Sequence, residues 1–160
     1  MHVQTRSVFW GVLLLFGCSG SGHRAALQDS ARIMERTTLR TAIPFDSVYE
    51  RASLDRELLP SLRVLSAEVD VRIFFGTWCN DSKREVPRFM KLADSIGIPE
   101  GHIVMYALDR SWEKGLAQTM AVVRTPTFIF SKNGQEIGRI EERPRGTFES
   151  DLFSLLAKAH

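Results

Sequence analysis

A single cysteine stands at the most chemically suggestive point of this chain. The segment Phe74-Phe75-Gly76-Thr77-Trp78-Cys79-Asn80-Asp81-Ser82 joins an apolar run, Val71 to Phe75, to an amphipathic stretch that starts at Asn80. The apolar run predicts a buried strand and the amphipathic stretch a helix. Cys79 then sits at the C-terminal end of a strand and the N-terminus of a helix. Orphan backbone N–H groups and the positive end of the helix dipole converge there. That field favours a thiolate, and a cysteine so placed is nucleophilic near neutral pH. Such a thiolate attacks disulfides, sulfenic acids or peroxides. Asp81 opposes ionisation by like charge, Lys83 and Arg84 favour it, and Ser82 can donate a hydrogen bond to the sulfur. Sequence leaves that balance open. It also leaves open an inert, half-buried thiol, because free cysteine is among the most buried residue types. His2, His23, His102 and His160 are scattered and offer no ligand spacing, so neither a metal nor a cofactor is expected.

The elements that must position this thiol follow from periodicity. Val69 to Phe75 reads as a strand apart from Asp70 and Arg72. Asn80 to Ile96 reads as a helix with Val86, Phe89, Met90, Leu92, Ala93 and Ile96 inward, ended by Gly97. His102 to Leu108 is a strand, and a helix is expected from about Glu113 to Ala121. Thr127 to Ser131 and Gln135 to Glu141 pair through the Asn133-Gly134 turn. Thr147 or Ser150 caps a last helix with Leu152, Phe153, Leu155 and Leu156 inward. Upstream, Thr37 to Ile43 is β-branched and ends before Pro44, which suggests an edge strand. Asp46 or Ser47 caps a helical region reaching about Ala67, kinked or split by Pro60. The order gives an α/β fold with a mixed central sheet flanked by helices on both faces. Sites in such sheets lie at the carboxyl ends of strands, where Cys79 is.

Composition sets the class. The 160 residues are 44% hydrophobic and 25% charged, which suits one compact domain, read as a monomer, plus a tail. A net charge of +2, dispersed along the chain, does not suggest a nucleic-acid surface. Arg6 precedes a short apolar segment, Val8 to Phe16, far below the roughly twenty residues of a membrane-spanning helix. A basic start, an apolar core and a small-residue exit make a secretory signal. Leu15-Phe16-Gly17-Cys18 resembles a bacterial lipobox. The resemblance implies that residues 1–17 are removed and that Cys18 is lipidated. The domain would then be held at a membrane of the cell envelope, periplasm-facing or at the outer membrane. A plain signal peptide is the alternative. Residues 18–36 begin with Ser19-Gly20-Ser21-Gly22 and read as a tether with a possible short helix over 27–36. Residues 37–160 form the domain.

Two motifs now carry a family resemblance. Trp78-Cys79-Asn80-Asp81-Ser82, with Pro87 eight residues after the cysteine, resembles the active-site segment of the thioredoxin-like superfamily. Thr125-Pro126-Thr127-Phe128 resembles its cis-proline loop, which faces the active-site cysteine. The order of elements agrees from about Asp46 to His160. The resemblance implies the thioredoxin fold, Cys79 as nucleophile, and Trp78, Asn80, Asp81, Ser82, Thr125 and Pro126 as its supports. The loop before Pro126 would pair with an extended peptide.

Two departures narrow the chemistry. Ser82 replaces the second cysteine of the family's Cys-x-x-Cys motif, and a hydroxyl cannot resolve a mixed disulfide. The family's buried acid, six residues before the cysteine, corresponds to Ile73. A self-contained dithiol cycle is not carried over. What remains is monothiol exchange through Cys79, with disulfide- or thiol-bearing proteins or low-molecular-weight thiols as partners and an external thiol as resolver. The other readings are a non-catalytic module that docks a protein or peptide in the same groove, and a scaffold within a larger envelope assembly.

Overall fold

The computed structural model describes residues 31–159. Five strands form one sheet: β1 (Ala31–Ile33), β2 (Val69–Phe75), β3 (Ile103–Leu108), β4 (Thr127–Lys132) and β5 (Gln135–Glu141). Their spatial order is β1-β3-β2-β4-β5. β2 runs parallel to β3, with Phe74 opposite Tyr106. The β1–β3, β2–β4 and β4–β5 pairs are antiparallel. The expected mixed sheet is therefore present. Six helices accompany it: α1 (Arg36–Ala42), α2 (Phe45–Arg51), α3 (Leu59–Leu65), α4 (Asn80–Ile96), α5 (Leu116–Thr119) and α6 (Phe148–Lys158).

The two faces of the sheet are covered very differently. Val69, Val71, Ile73 and Phe75 of β2 join one large core with residues of α1, α2, α3, α4 and α6. Phe74, on the opposite side, joins a small cluster with Ala31, Leu108, Ala117, Val122 and Ile129, which, among the described residues, α5 and its flanking loops cover. Alternation along β2 thus divides the molecule into a thick layer and a thin one. In the thick layer, Phe89 of α4 packs on Phe128 and Phe130 of β4 and on Phe148 of α6, with ring centroids 5.0, 5.8 and 5.6 Å away. Tilted and edge-on contacts of this kind add to the burial of each ring. They fix the helix that starts at Cys79 to the strand that follows Pro126.

Three upstream and connecting elements differ from the sequence expectation. The stretch 37–43, expected as an edge strand, lies mostly in helix α1. Leu39 and Ile43 are spaced one helical turn apart and both are buried, so tertiary burial outweighs the β-branched threonines. The edge strand is instead Ala31–Ile33, too short to show a period. The helical region after Asp46 is split into two helices, α2 and α3, as expected, but the break falls at residues 52–58, and Pro60 lies instead in the first turn of α3, where its missing N–H is harmless. The helix expected over 113–121 shrinks to Leu116–Thr119, begun by Gly115 at positive φ. Elsewhere the expected bounds hold closely: α4 ends at Gly97 in the left-handed conformation. α6 starts with a reciprocal capping box between Thr147 and Ser150. Gly138 of β5 admits Leu155 of α6, since a Cβ there would stand 2.5 Å from the Leu155 Cδ2.

Candidate functional site

The site forms where β2 ends and α4 begins. Gly76 closes the strand, and its carbonyl accepts the Cys79 N–H at 3.0 Å. Cys79 is the N-cap of α4, with extended backbone at φ −84° and ψ 126°. N-cap residues usually offer a side-chain oxygen to the N–H groups of the second and third helical residues. Here those residues are Asp81 and Ser82, and the Cys79 side chain makes no capping hydrogen bond to them. Ionising the thiol would give those N–H groups an anionic partner.

The thiol pKa is shifted downward from the ordinary value of 9.0. Partial burial is the largest single influence, and it opposes ionisation. Hydrogen bonds from the Thr125 side chain, from the Ser82 backbone and hydroxyl, and from the Asp81 backbone together outweigh it. The neutral thiol has a separate partner, because Cys79 Sγ donates to the Thr125 carbonyl oxygen at 3.2 Å. The balance between Asp81, Lys83 and Arg84 also resolves. Arg84 Nη2 holds the Asp81 carboxylate at 2.5 Å, and Arg84 Nε binds the buried Glu85 at 2.6 Å. The acid beside the cysteine is thus paired with a cation, while its backbone N–H favours the thiolate.

Ser82 is fully buried. Its Oγ accepts the Gly76 N–H at 3.2 Å. That leaves the hydroxyl proton free to point at the Cys79 sulfur, so one side chain links the strand end to the nucleophile. Ile73 is likewise fully buried and belongs to the thick core. Among the described residues, Cys79 is the free cysteine, half-buried. Cys18 lies outside the described residues, as do the expected signal segment and most of the tether. Within the described residues no helix is long and apolar enough to cross a membrane, and no group of three His, Cys, Asp or Glu gathers to hold a metal.

Trp78 is anchored rather than free. Its Nε1 donates to the Leu108 carbonyl at the end of β3, 3.2 Å away. Its ring lies against Gly76, where a Cβ would come within 2.6 Å of it. Asn80 is exposed in the first turn of α4. On the facing side, the Thr125–Pro126 peptide bond is cis. The loop is held by Thr127 Oγ1, which donates to the Arg124 carbonyl at 2.7 Å, and by the Glu142 N–H, which donates to the Pro126 carbonyl at 2.7 Å. Arg124 and Glu142 pair at 2.6 Å. Arg139 donates to the carbonyls of Met120 and Ala121 at the end of α5. Arg110 stacks over Trp78, its guanidinium carbon 5.4 Å from the ring centre.

Sequence reading named Trp78, Cys79, Asn80, Asp81, Ser82, Thr125 and Pro126, and the structure brings the Cys79 thiol of the first segment against Thr125 of the second. It missed Arg110, Arg124, Arg139 and Glu142. Arg124 and Glu142 meet only through the β4–β5 hairpin, which no local pattern reports. Arg110 carried a usable signal: it follows β3 at the same end of the sheet as Cys79.

With this geometry in place, comparison with known proteins is informative. The family profile described as Thioredoxin matches residues 62–154, more than half of the chain. The chain belongs to the thioredoxin family. It is similar to a thioredoxin of Malassezia sympodialis, 37% identical over 68 residues, covering 42% of this chain and 62% of that protein. Thioredoxin-2 of Saccharomyces cerevisiae is 34% identical over 67 residues, covering 42% and 61%. The chain thus spans about three-fifths of the length of these curated relatives. A Pseudomonas aeruginosa protein of unknown function superposes with a TM-score of 0.56 at 14% identity, covering 79% of this chain and 88% of that one. This last likeness concerns the fold alone.

Proposed function

We propose that this thioredoxin-family protein performs thiol–disulfide exchange through Cys79 as a single-thiol device of the bacterial cell envelope. The observation that carries the reading is the pairing of an N-cap thiol, contacting Thr125 before Pro126, with a fully buried Ser82 where a second thiol would stand. The Cys79 thiolate attacks one sulfur of a disulfide, R–S–S–R. A Cys79–S–S–R bond forms, and the other half leaves as a thiolate that takes its proton from solvent. Ser82 cannot displace R, so a thiol from outside the domain completes the exchange. That thiol belongs to a partner protein or to a low-molecular-weight compound. The loop ahead of Pro126 offers backbone groups to an extended client segment.

The location rests on sequence alone. Residues 1–17 are proposed as a lipoprotein signal, with Cys18 the lipidated residue and the following segment a tether to the domain. Incorporation of radiolabelled palmitate that Cys18→Ala abolishes is the expected outcome. Labelling that persists in that variant would contradict it.

The exchange reading is tested by capturing clients on the full chain in the cell envelope. Disulfide-linked partners on Cys79, absent in Cys79→Ala, are expected. A second reading, a peptide-binding module without turnover, is favoured by Ile73 and Ser82 standing where the family's acid and second thiol act. That reading requires Cys79→Ala to retain both partner binding and biological function.

A further inference from the structure

Charge around the cleft is uneven. Asp81 is neutralised by Arg84, and Arg124 by Glu142. Asp109 is turned into its own loop, where one carboxylate oxygen accepts the Ser111 N–H at 2.7 Å and the Ser111 hydroxyl at 2.8 Å. Asp109 keeps its negative charge, since both donors are neutral, and Arg110 and Lys83 are the cations left over. Among the described residues neither takes part in an ion pair. Arg110 is exposed, yet its guanidinium is not free to wander, because it stacks on the indole of Trp78. That indole is itself pinned by the Leu108 carbonyl. An exposed planar cation is thus placed over the ring of the residue that immediately precedes Cys79.

We infer that Arg110, stacked on Trp78, is a specificity-determining residue that selects disulfide partners carrying a carboxylate near the reactive sulfur. The inference rests on the exchange reading and names its substrate class. A guanidinium resting over a ring keeps N–H groups for a carboxylate, which it can match bidentately. Stacking lowers the entropy lost when that pair forms, because the guanidinium is already in position. Lys83, in the first turn of α4, adds a second positive charge of the same sign. The paired Arg124 and Glu142 on the other side of the cleft add none. A partner with a lysine or arginine at the matching place meets like charge instead.

The test compares three small disulfides of similar size with the full chain: dithiodiglycolate (anionic), hydroxyethyl disulfide (neutral) and cystamine (cationic). Modification of Cys79 is followed by site-resolved mass spectrometry, so that any reaction at Cys18 is counted separately. The anionic disulfide is expected to react fastest relative to the neutral one, and cystamine slowest. Arg110→Gln is expected to lower the anionic-to-neutral rate ratio by about fivefold, the upper range for an exposed ion pair. Arg110→Lys keeps the charge without the planar stack and should recover part of the ratio. The preference should shrink with added salt. Using a ratio removes any general effect on thiol reactivity. A ratio unchanged in Arg110→Gln, or equal slowing with all three disulfides, overturns the inference and leaves the exchange reading standing. No reaction of Cys79 with hydroxyethyl disulfide overturns both.

Discussion

The cleft has two walls of unequal build. One is the β2–α4 corner, which carries Trp78, Cys79 and Ser82. It is rooted in a core assembled from five helices and the phenylalanines 89, 128, 130 and 148. The other is the stretch from Asp109 to Thr125, which carries Arg110 and the loop before Pro126. It rests on a small cluster around Ala117, Val122 and Ile129. Its polar ties include Arg139 to the end of α5 and Glu142 to Arg124. The difference teaches how one fold separates two tasks. The nucleophile needs fixed geometry, since several hydrogen bonds must converge on one sulfur. Under the proposed exchange the facing loop would admit partners of different shape, and thin packing permits opening at lower free energy.

Breaking the rooted wall should have the largest effect. Phe89→Ala removes a fully buried ring shared by α4, β4 and α6, and about 3–5 kcal/mol of stability should be lost in denaturant unfolding. Ser82→Ala comes next. It leaves the Gly76 N–H buried without its acceptor, at a cost of about 1–3 kcal/mol, and it removes a hydroxyl that favours the thiolate. The pH midpoint of Cys79 alkylation should therefore move upward. In the unmodified protein, alkylation should rise with pH to a plateau, with its midpoint below 9.0, because the folded state favours the thiolate. Val122→Ala, in the thin wall, removes about two methylenes and should cost about 1–2 kcal/mol. Its clearer signature is local: amides of α5 and the following loop should exchange with solvent faster, with little change in β2. Equal losses for Phe89→Ala and Val122→Ala in unfolding experiments would erase the contrast. Thr147→Ala, far from the cleft, removes the α6 cap and should cost about 1 kcal/mol without altering Cys79 reactivity.

The same division governs what sequence could reveal. The rooted wall was legible because its signals are local. The alternation of Val69, Val71, Ile73 and Phe75, the helical spacing of Val86, Phe89 and Ala93, and the stop at Gly97 each lie within one element. The thiol's position followed from them directly. The direction of its ionisation did not, because it depends on hydrogen bonds from Thr125, Ser82 and the Asp81 backbone outweighing partial burial. The thin wall was hardest to read. Its helix is a single turn, and its ties to Arg139 and Glu142 come through a hairpin that sequence placed but could not dock. At the other end of the chain, Leu39 and Ile43 had the i, i+4 spacing of a buried helix, but Thr37, Thr38 and Thr41 carried the opposite local preference.

The central claim is that Cys79 forms a mixed disulfide that the domain itself cannot resolve. It is tested most directly by treating the Cys18→Ala chain, in which Cys79 is the remaining thiol, with hydroxyethyl disulfide and then removing the excess. The account predicts a one-to-one adduct on Cys79 that persists until a thiol is added, and that then returns the free cysteine. An unmodified Cys79, or an adduct that disappears without added thiol, would contradict it.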